Sequence, residues 1–147
     1  MDAFEVFDDT PGRSLGIDDL TSGQAVFQQV HLTDDMLAAY SRLANDRARV
    51  HEDAGFAVTS GFQAPIIQGL ALSTRFSRLI GMYLPGERAI LESIDLRFRR
   101  PVYRGSELTY RAVVNRIFRP MGVVELALSI AADADTCVTG TCRCLIR

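Results

Sequence analysis

The chain has no lysine: all 16 basic residues among its 147 are arginine, which excludes a lysine nucleophile or Schiff base. Cysteine is scarce, with Cys137, Cys142 and Cys144 crowded into the last eleven residues. An odd number at that spacing makes neither a disulfide framework nor a zinc site without further ligands. These thiols are expected to serve as small apolar residues on a terminal strand, and no metal site is expected. An excess of one charge is also missing. The formal net charge is −2, so nothing points to nucleic acid or another polyanion as a partner. No apolar run is long enough to span a bilayer, and the N-terminus lacks the basic-then-apolar layout of a signal peptide. The expectation is a cytoplasmic protein without a membrane partner. Repeats, linkers and low-complexity segments are absent as well.

What remains is an ordinary globular composition, 48% hydrophobic and 23% charged, at a length that suits one domain with a real core. Residues 1–20 mix Asp, Gly, Pro and isolated hydrophobics without a period. They read as an N-terminal extension laid over a domain spanning 21–147. Residues 24–32 read as a strand with Val26 and Val30 on one face, and His31 at its end is a surface residue. Thr33 is placed to cap a helix whose first turn carries Asp34 and Asp35, at the positive end of its dipole. Met36, Leu37, Tyr40, Leu43 and Ala44 follow at helical spacing, and the helix should stop near Asn45.

Residues 45–54 have no period and carry Asp46 and His51, so they read as a loop that presents chemistry. A short helical turn through Phe56 to Thr59 follows. Pro65 keeps the residue before it out of the helical region, making 64–67 an extended entry. From Gly69 to Leu84 the pattern Leu70, Leu72, Phe76, Leu79, Ile80, Tyr83 gives a helix that is apolar nearly all round and therefore buried. The last sixty residues alternate as strands: Ile90–Phe98, Leu108–Phe118 with a register change near Val113 and Val114, Val124–Ile130, and Val138–Ile146. Residues 119–122 and 133–135 are hairpin-length connections. The fold class is α+β, with a four-strand antiparallel meander wrapping the long central helix.

Three features of this layout suit one site. A carboxylate (Asp46) and an imidazole (His51) five residues apart can hold one water between them. The backbone N–H of Gly69, at a helix N-terminus, can receive negative charge developing on a carbonyl oxygen. The same stretches carry a resemblance: Asp46-Arg-Ala-Arg-Val-His51, Phe56-Ala57, Pro65-Ile-Ile-Gln-Gly69, Leu84-Pro85-Gly86, Phe98-Arg-Arg-Pro101-Val102 and Val138-Thr-Gly140. Over residues 20–146 the chain resembles the MaoC-like dehydratases, and within them the (R)-specific enoyl-CoA hydratases of hot dog fold.

The resemblance implies a single hot dog domain that hydrates a trans-2-enoyl thioester to the 3-hydroxyacyl thioester, or the reverse. Asp46 and His51 would hold the water, and the Gly69 N–H would take the thioester oxygen. Ile67, Gln68 and Thr74 would border the acyl group, and Arg100 is a candidate for the phosphates of coenzyme A. No cofactor is implied beyond coenzyme A as part of the substrate. The partners implied are acyl-CoA or an acyl-carrier-protein thioester, and a second copy of the chain in a homodimer or dimer of dimers. Two departures from the family pattern fall in the catalytic loop, where Ala48 replaces an Asn and Arg49 a Pro. Gln68 also replaces a His. Two other functions fit the same residues: a thioesterase directing water at the thioester carbonyl, and a non-catalytic acyl-thioester-binding member.

Overall fold

The computed structural model describes residues 3–147; the first two residues of the expected extension lie outside the described residues. The elements run β1 (Ala3–Glu5), β2 (Ala25–His31), α1 (Asp34–Ala44), α2 (Arg49–Glu52), α3 (Ala54–Thr59), α4 (Gly69–Arg78), β3 (Ala89–Phe98), β4 (Glu107–Phe118), β5 (Val123–Ala132) and β6 (Asp135–Ile146). One six-stranded sheet in the order β1-β2-β4-β5-β6-β3 wraps α4, which is the hot dog arrangement. Pairing is antiparallel throughout except for the parallel β1–β2 contact.

The sheet corrects the expected four-strand meander. Of the four strands expected to form it, only β4, β5 and β6 are consecutive neighbours; β3 crosses over to pair with β6, Phe98 opposite Val138 and Ile94 opposite Cys142. Alternation fixes which face of a strand is buried but not which strand lies beside it. The expected register change in β4 is present, between Val114 and Arg116. Asp133 and Ala134 form the β5–β6 turn with φ values of 50° and 74°, the positive pair a tight hairpin favours.

The core lies between α4 and the inner face of the sheet. Ala71, Leu72 and Phe76 of the helix meet Tyr110, Ala112, Leu126, Leu128 and Ile130 of the strands, all of them buried. The Phe76 and Tyr110 rings pack edge to face at 5.6 Å, the geometry that their quadrupoles favour. Cys137, Cys142 and Cys144 are free and buried on β6, as their spacing implied. The segment through residue 20 is more than a surface arm, because Val6 and Leu20 are buried in the same core.

Two local expectations change. The central helix is α-helical only to Arg78 and continues as a π-helical turn, Leu79–Tyr83. It is also not buried all round, since Leu70 and Thr74 face outward. Residues 49–52 of the expected loop form a short helix, so His51 rides on a helical turn rather than on irregular chain. Thr33 does cap α1, accepting from the Met36 N–H, and Asn45 closes it in the left-handed region at φ 52°.

Candidate active site

Asp46 sits just past the end of α1, and its Oδ1 accepts a hydrogen bond of 3.0 Å from the Ala48 N–H. That short-range bond is an Asx-type turn, which orients the carboxylate through backbone alone. Its Oδ2 stands 4.0 Å from His51 Nε2. The separation is too long for a direct hydrogen bond and wide enough for one water oxygen to reach both atoms.

The other side of the His51 ring is fixed. Nδ1 lies 2.8 Å from the Ile66 carbonyl oxygen. A carbonyl only accepts, so Nδ1 carries the hydrogen, and in the neutral imidazole Nε2 then keeps the lone pair. The imidazole is therefore a base at the atom facing Asp46. The acceptor is itself held: the Ile66 N–H donates to the Val50 carbonyl (3.2 Å) and the Ile67 N–H to the Val102 carbonyl (2.8 Å). The extended entry that Pro65 enforces thus becomes the rail on which the histidine is aligned.

The loop keeps this geometry without the Asn and Pro of the family pattern. Ala48 is the N-cap of α2 and offers no side-chain cap. Arg49, at the first helical position, reaches across to Asp53 at 2.8 Å and lies over the Phe56 ring at 4.6 Å. Asp53 in turn caps α3 by accepting from the Phe56 N–H at 2.9 Å. The Arg49 guanidinium, followed by that N–H, holds the Asp53 carboxyl below the usual carboxylate range. Arg49 thereby ties α2, which carries His51, to α3.

A cavity of about 360 Å³ opens beside the histidine, lined by His51, Ile66, Ile67, Gly69, Leu72 and Phe98 and bounded at its rim by Arg99 and Arg100. Gly69 is the first residue of α4; Gln68 before it gives no side-chain cap. The N–H of a first helical residue has no partner within the helix, and here it stays unpaired among the described residues. Apolar walls, one base and one free helix-terminal donor describe a site for a polarised carbonyl compound beside an activated water.

His51, Gly69, Ile67 and Arg100 therefore meet at one cavity, and Asp46, which is not part of its lining, stands 4.0 Å from His51 Nε2. Arg100 also faces Asp135 at 3.4 Å, both side chains well exposed. Gln68 turns away: it is buried, and its amide donates to Ser41 Oγ at 2.9 Å, pinning the helix start to α1. Thr74 is not at this cavity. It borders a separate groove between α1 and α4, and its hydroxyl donates to the Ala71 carbonyl at 2.7 Å. Sequence reasoning missed Phe62, Leu72 and Phe98 as wall residues. Their signal was faint, since each also fits an ordinary core or strand pattern.

A sequence model described as the MaoC like domain matches residues 20–130. An (R)-specific enoyl-CoA hydratase of Aeromonas caviae is 34% identical over 105 residues, covering 71% of this chain and 78% of that protein. A mitochondrial 3-hydroxyacyl-[acyl-carrier-protein] dehydratase of Solanum lycopersicum is 35% identical over 89 residues, 60% of this chain and 53% of its own. Among solved structures, the (R)-hydratase of A. caviae superposes with a TM-score of 0.82 at 29% identity, covering 87% of this chain and 98% of that one. An R-hydratase from Pseudomonas aeruginosa gives 0.83 at 25% identity, over 93% and 88%. The fold is that of the hot dog hydratases and dehydratases. The chain belongs to the MaoC-like dehydratase family.

Proposed function

We propose that the chain adds water across the C2–C3 double bond of a trans-2-enoyl thioester and, in reverse, dehydrates the 3-hydroxyacyl thioester. A water held between Asp46 Oδ2 and His51 Nε2 gives a proton to the imidazole as its oxygen bonds to C3. The electron pair of the double bond moves through C2 toward the thioester oxygen, where the Gly69 N–H and the helix dipole stabilise the enolate. The proton then passes to C2 from the Asp46–His51 pair, restoring the base. The net change is H and OH added to the alkene. No electron is gained or lost, so no redox cofactor is needed, and coenzyme A enters only as part of the substrate.

The observation that carries this reading is the pair of contacts on either side of the His51 ring. The Ile66 carbonyl holds the Nδ1 hydrogen, leaving a basic Nε2 opposite Asp46 at 4.0 Å. A positioned acid–base pair typically supplies on the order of 10²–10⁴-fold, and an oxyanion donor on the order of 10²–10³-fold. The acyl carrier is coenzyme A or a carrier protein, as the names of the relatives indicate for those proteins, with Arg100 at the rim for phosphate.

The working unit is a homodimer. Strand β3 lies at the sheet edge and leaves Ile90, Leu91, Ile94 and Phe98 largely exposed. An open edge carrying apolar residues on this scale is a pairing surface, and a second copy satisfies it by two-fold symmetry.

The deciding experiment follows crotonyl-CoA by its enoyl-thioester absorbance, with a thiol reagent in a parallel cuvette. Loss of the enoyl band without thiol release is the expected result. Thiol release would replace this reading with hydrolysis.

A further inference from the structure

Gly69 is a glycine for want of space rather than for its backbone angles. Its φ is not among the positive values of the chain. A Cβ built on it would stand 3.1 Å from Phe98 Cε1, 3.2 Å from Cζ and 3.3 Å from Cδ1, closer than a methyl and an aromatic ring settle. The ring thus packs against the face of Gly69 from which a side chain would start. Phe98 is the last residue of β3, opposite Val138, and 48% of it is exposed in the single chain. It lines the cavity beside Gly69, His51 and Leu72. The β3 face proposed above to pair with a second copy would cover part of this exposed area, but that pairing does not account for the ring's contact with the start of a helix whose first N–H is free.

We propose that Phe98 is a positioning residue for the reaction: its ring screens the Gly69 N–H from water and gives the planar enoyl thioester a flat wall to lie against. This rests on the hydratase reading above. The reasoning is electrostatic. A hydrogen-bond donor aimed at developing charge is worth most where water does not compete and the local dielectric is low. The ring supplies that screening at the donor itself, and the absence of a Cβ on Gly69 lets it come close. Ring and glycine therefore act as one unit, and substituting either should be felt through the other.

Phe98→Ala should lower kcat about 10-fold, part of the value of a whole oxyanion donor, with KM little changed. Phe98→Leu should fall between. Gly69→Ala should displace the ring and misplace the thioester, at a loss of roughly 10²-fold, the scale of an ångström of misalignment. The double variant Gly69→Ala/Phe98→Ala should be more active than Gly69→Ala alone, because the new methyl then has room.

A bound dialkylamino-cinnamoyl thioester gives the independent readout, since its absorption moves to longer wavelength as its carbonyl oxygen is polarised. The wild type should shift it, and Phe98→Ala should bind it with a smaller shift. Wild-type kcat and an undiminished shift in Phe98→Ala would overturn the role of the ring while leaving the hydratase reading intact. A double variant no better than Gly69→Ala would overturn it too. A wild type that neither turns over enoyl thioesters nor shifts the probe would remove the reading on which the proposal stands. Phe98→Ala and Phe98→Leu should still unfold in one cooperative transition, and their kcat should be compared at protein concentrations where sedimentation shows them dimeric, because Phe98 also lies on the β3 face proposed to pair.

Discussion

Replacing Asp46 by Asn tests the water site with almost no change of shape. The amide oxygen can still accept the 3.0 Å bond from the Ala48 N–H, so the turn after α1 survives. The atom facing His51 Nε2 at 4.0 Å then becomes an NH2 group. A carboxylate oxygen that accepts a hydrogen from water is exchanged for a group that only donates. The bridging water can no longer give one hydrogen to each partner, and the route that returns a proton to C2 is cut. The loss belongs to acid–base catalysis, so kcat should fall by at least about 10²-fold, up to roughly 10⁴. In barrier terms the lower figure is about 2.7 kcal/mol. The Asp46 side chain is 35% exposed, and stability should move by no more than roughly 0.5 kcal/mol, as at most surface sites. The assay is steady-state hydration of crotonyl-CoA alongside thermal unfolding. Wild-type kcat in Asp46→Asn would refute the water bridge; a drop that tracked a large loss of stability would show that the carboxylate holds the fold instead.

Three further outcomes follow from the structure. Ile94→Asp, which puts a carboxylate on the open edge of β3, should shift the protein from dimer to monomer in sedimentation velocity; an unchanged dimer would place the interface elsewhere. Cys137, Cys142 and Cys144 are 2%, 1% and 0% exposed as residues, and burial pushes the Cys137 thiol up. Native protein should therefore react with an aromatic disulfide reagent only after denaturation, which keeps the thiol-release assay clean; fast labelling of the native state would contradict this packing. Arg49→Pro should fold and keep at least half of the wild-type kcat, because the first helical position tolerates proline and Ala48 already has ψ 131°, as a residue before proline requires. A large loss of kcat would mean that the guanidinium does more than tie α2 to α3.

Much of the fold was legible because it rests on local rules. Thr33 before Asp34 and Asp35 marked the start of α1, and Asn45 its end. The alternation from Val124 to Ile130 marked β5, and the broken alternation past Val114 marked the bulge in β4. Strand order was not legible. Ile90, Ile94, Leu96 and Phe98 alternate like an inner strand, yet most of β3 is exposed in the single chain. A pattern of apolar residues records that a face will be covered, whether by this chain or by another. The parallel pairing of Ala3–Glu5 with β2 was hidden for a different reason, since three residues are too few to show a period.

The site divides along the same line. Asp46, His51 and Gly69 could be picked out as candidates because acid–base chemistry and helix termini restrict residue types severely. The contact of Phe98 with Gly69 could not, because it joins residues 29 positions apart, brought together by β3 ending where α4 begins. The loss of Asn and Pro at 48 and 49 looked like damage to the catalytic loop when read position by position. In three dimensions the backbone N–H of Ala48 already orients Asp46. Arg49 secures the turn through Asp53 and Phe56, and the Ile66 carbonyl fixes the imidazole from a segment 15 residues away. A catalytic geometry held mostly by main-chain groups can change its neighbouring side chains and persist, because those holds do not depend on which side chain a position carries.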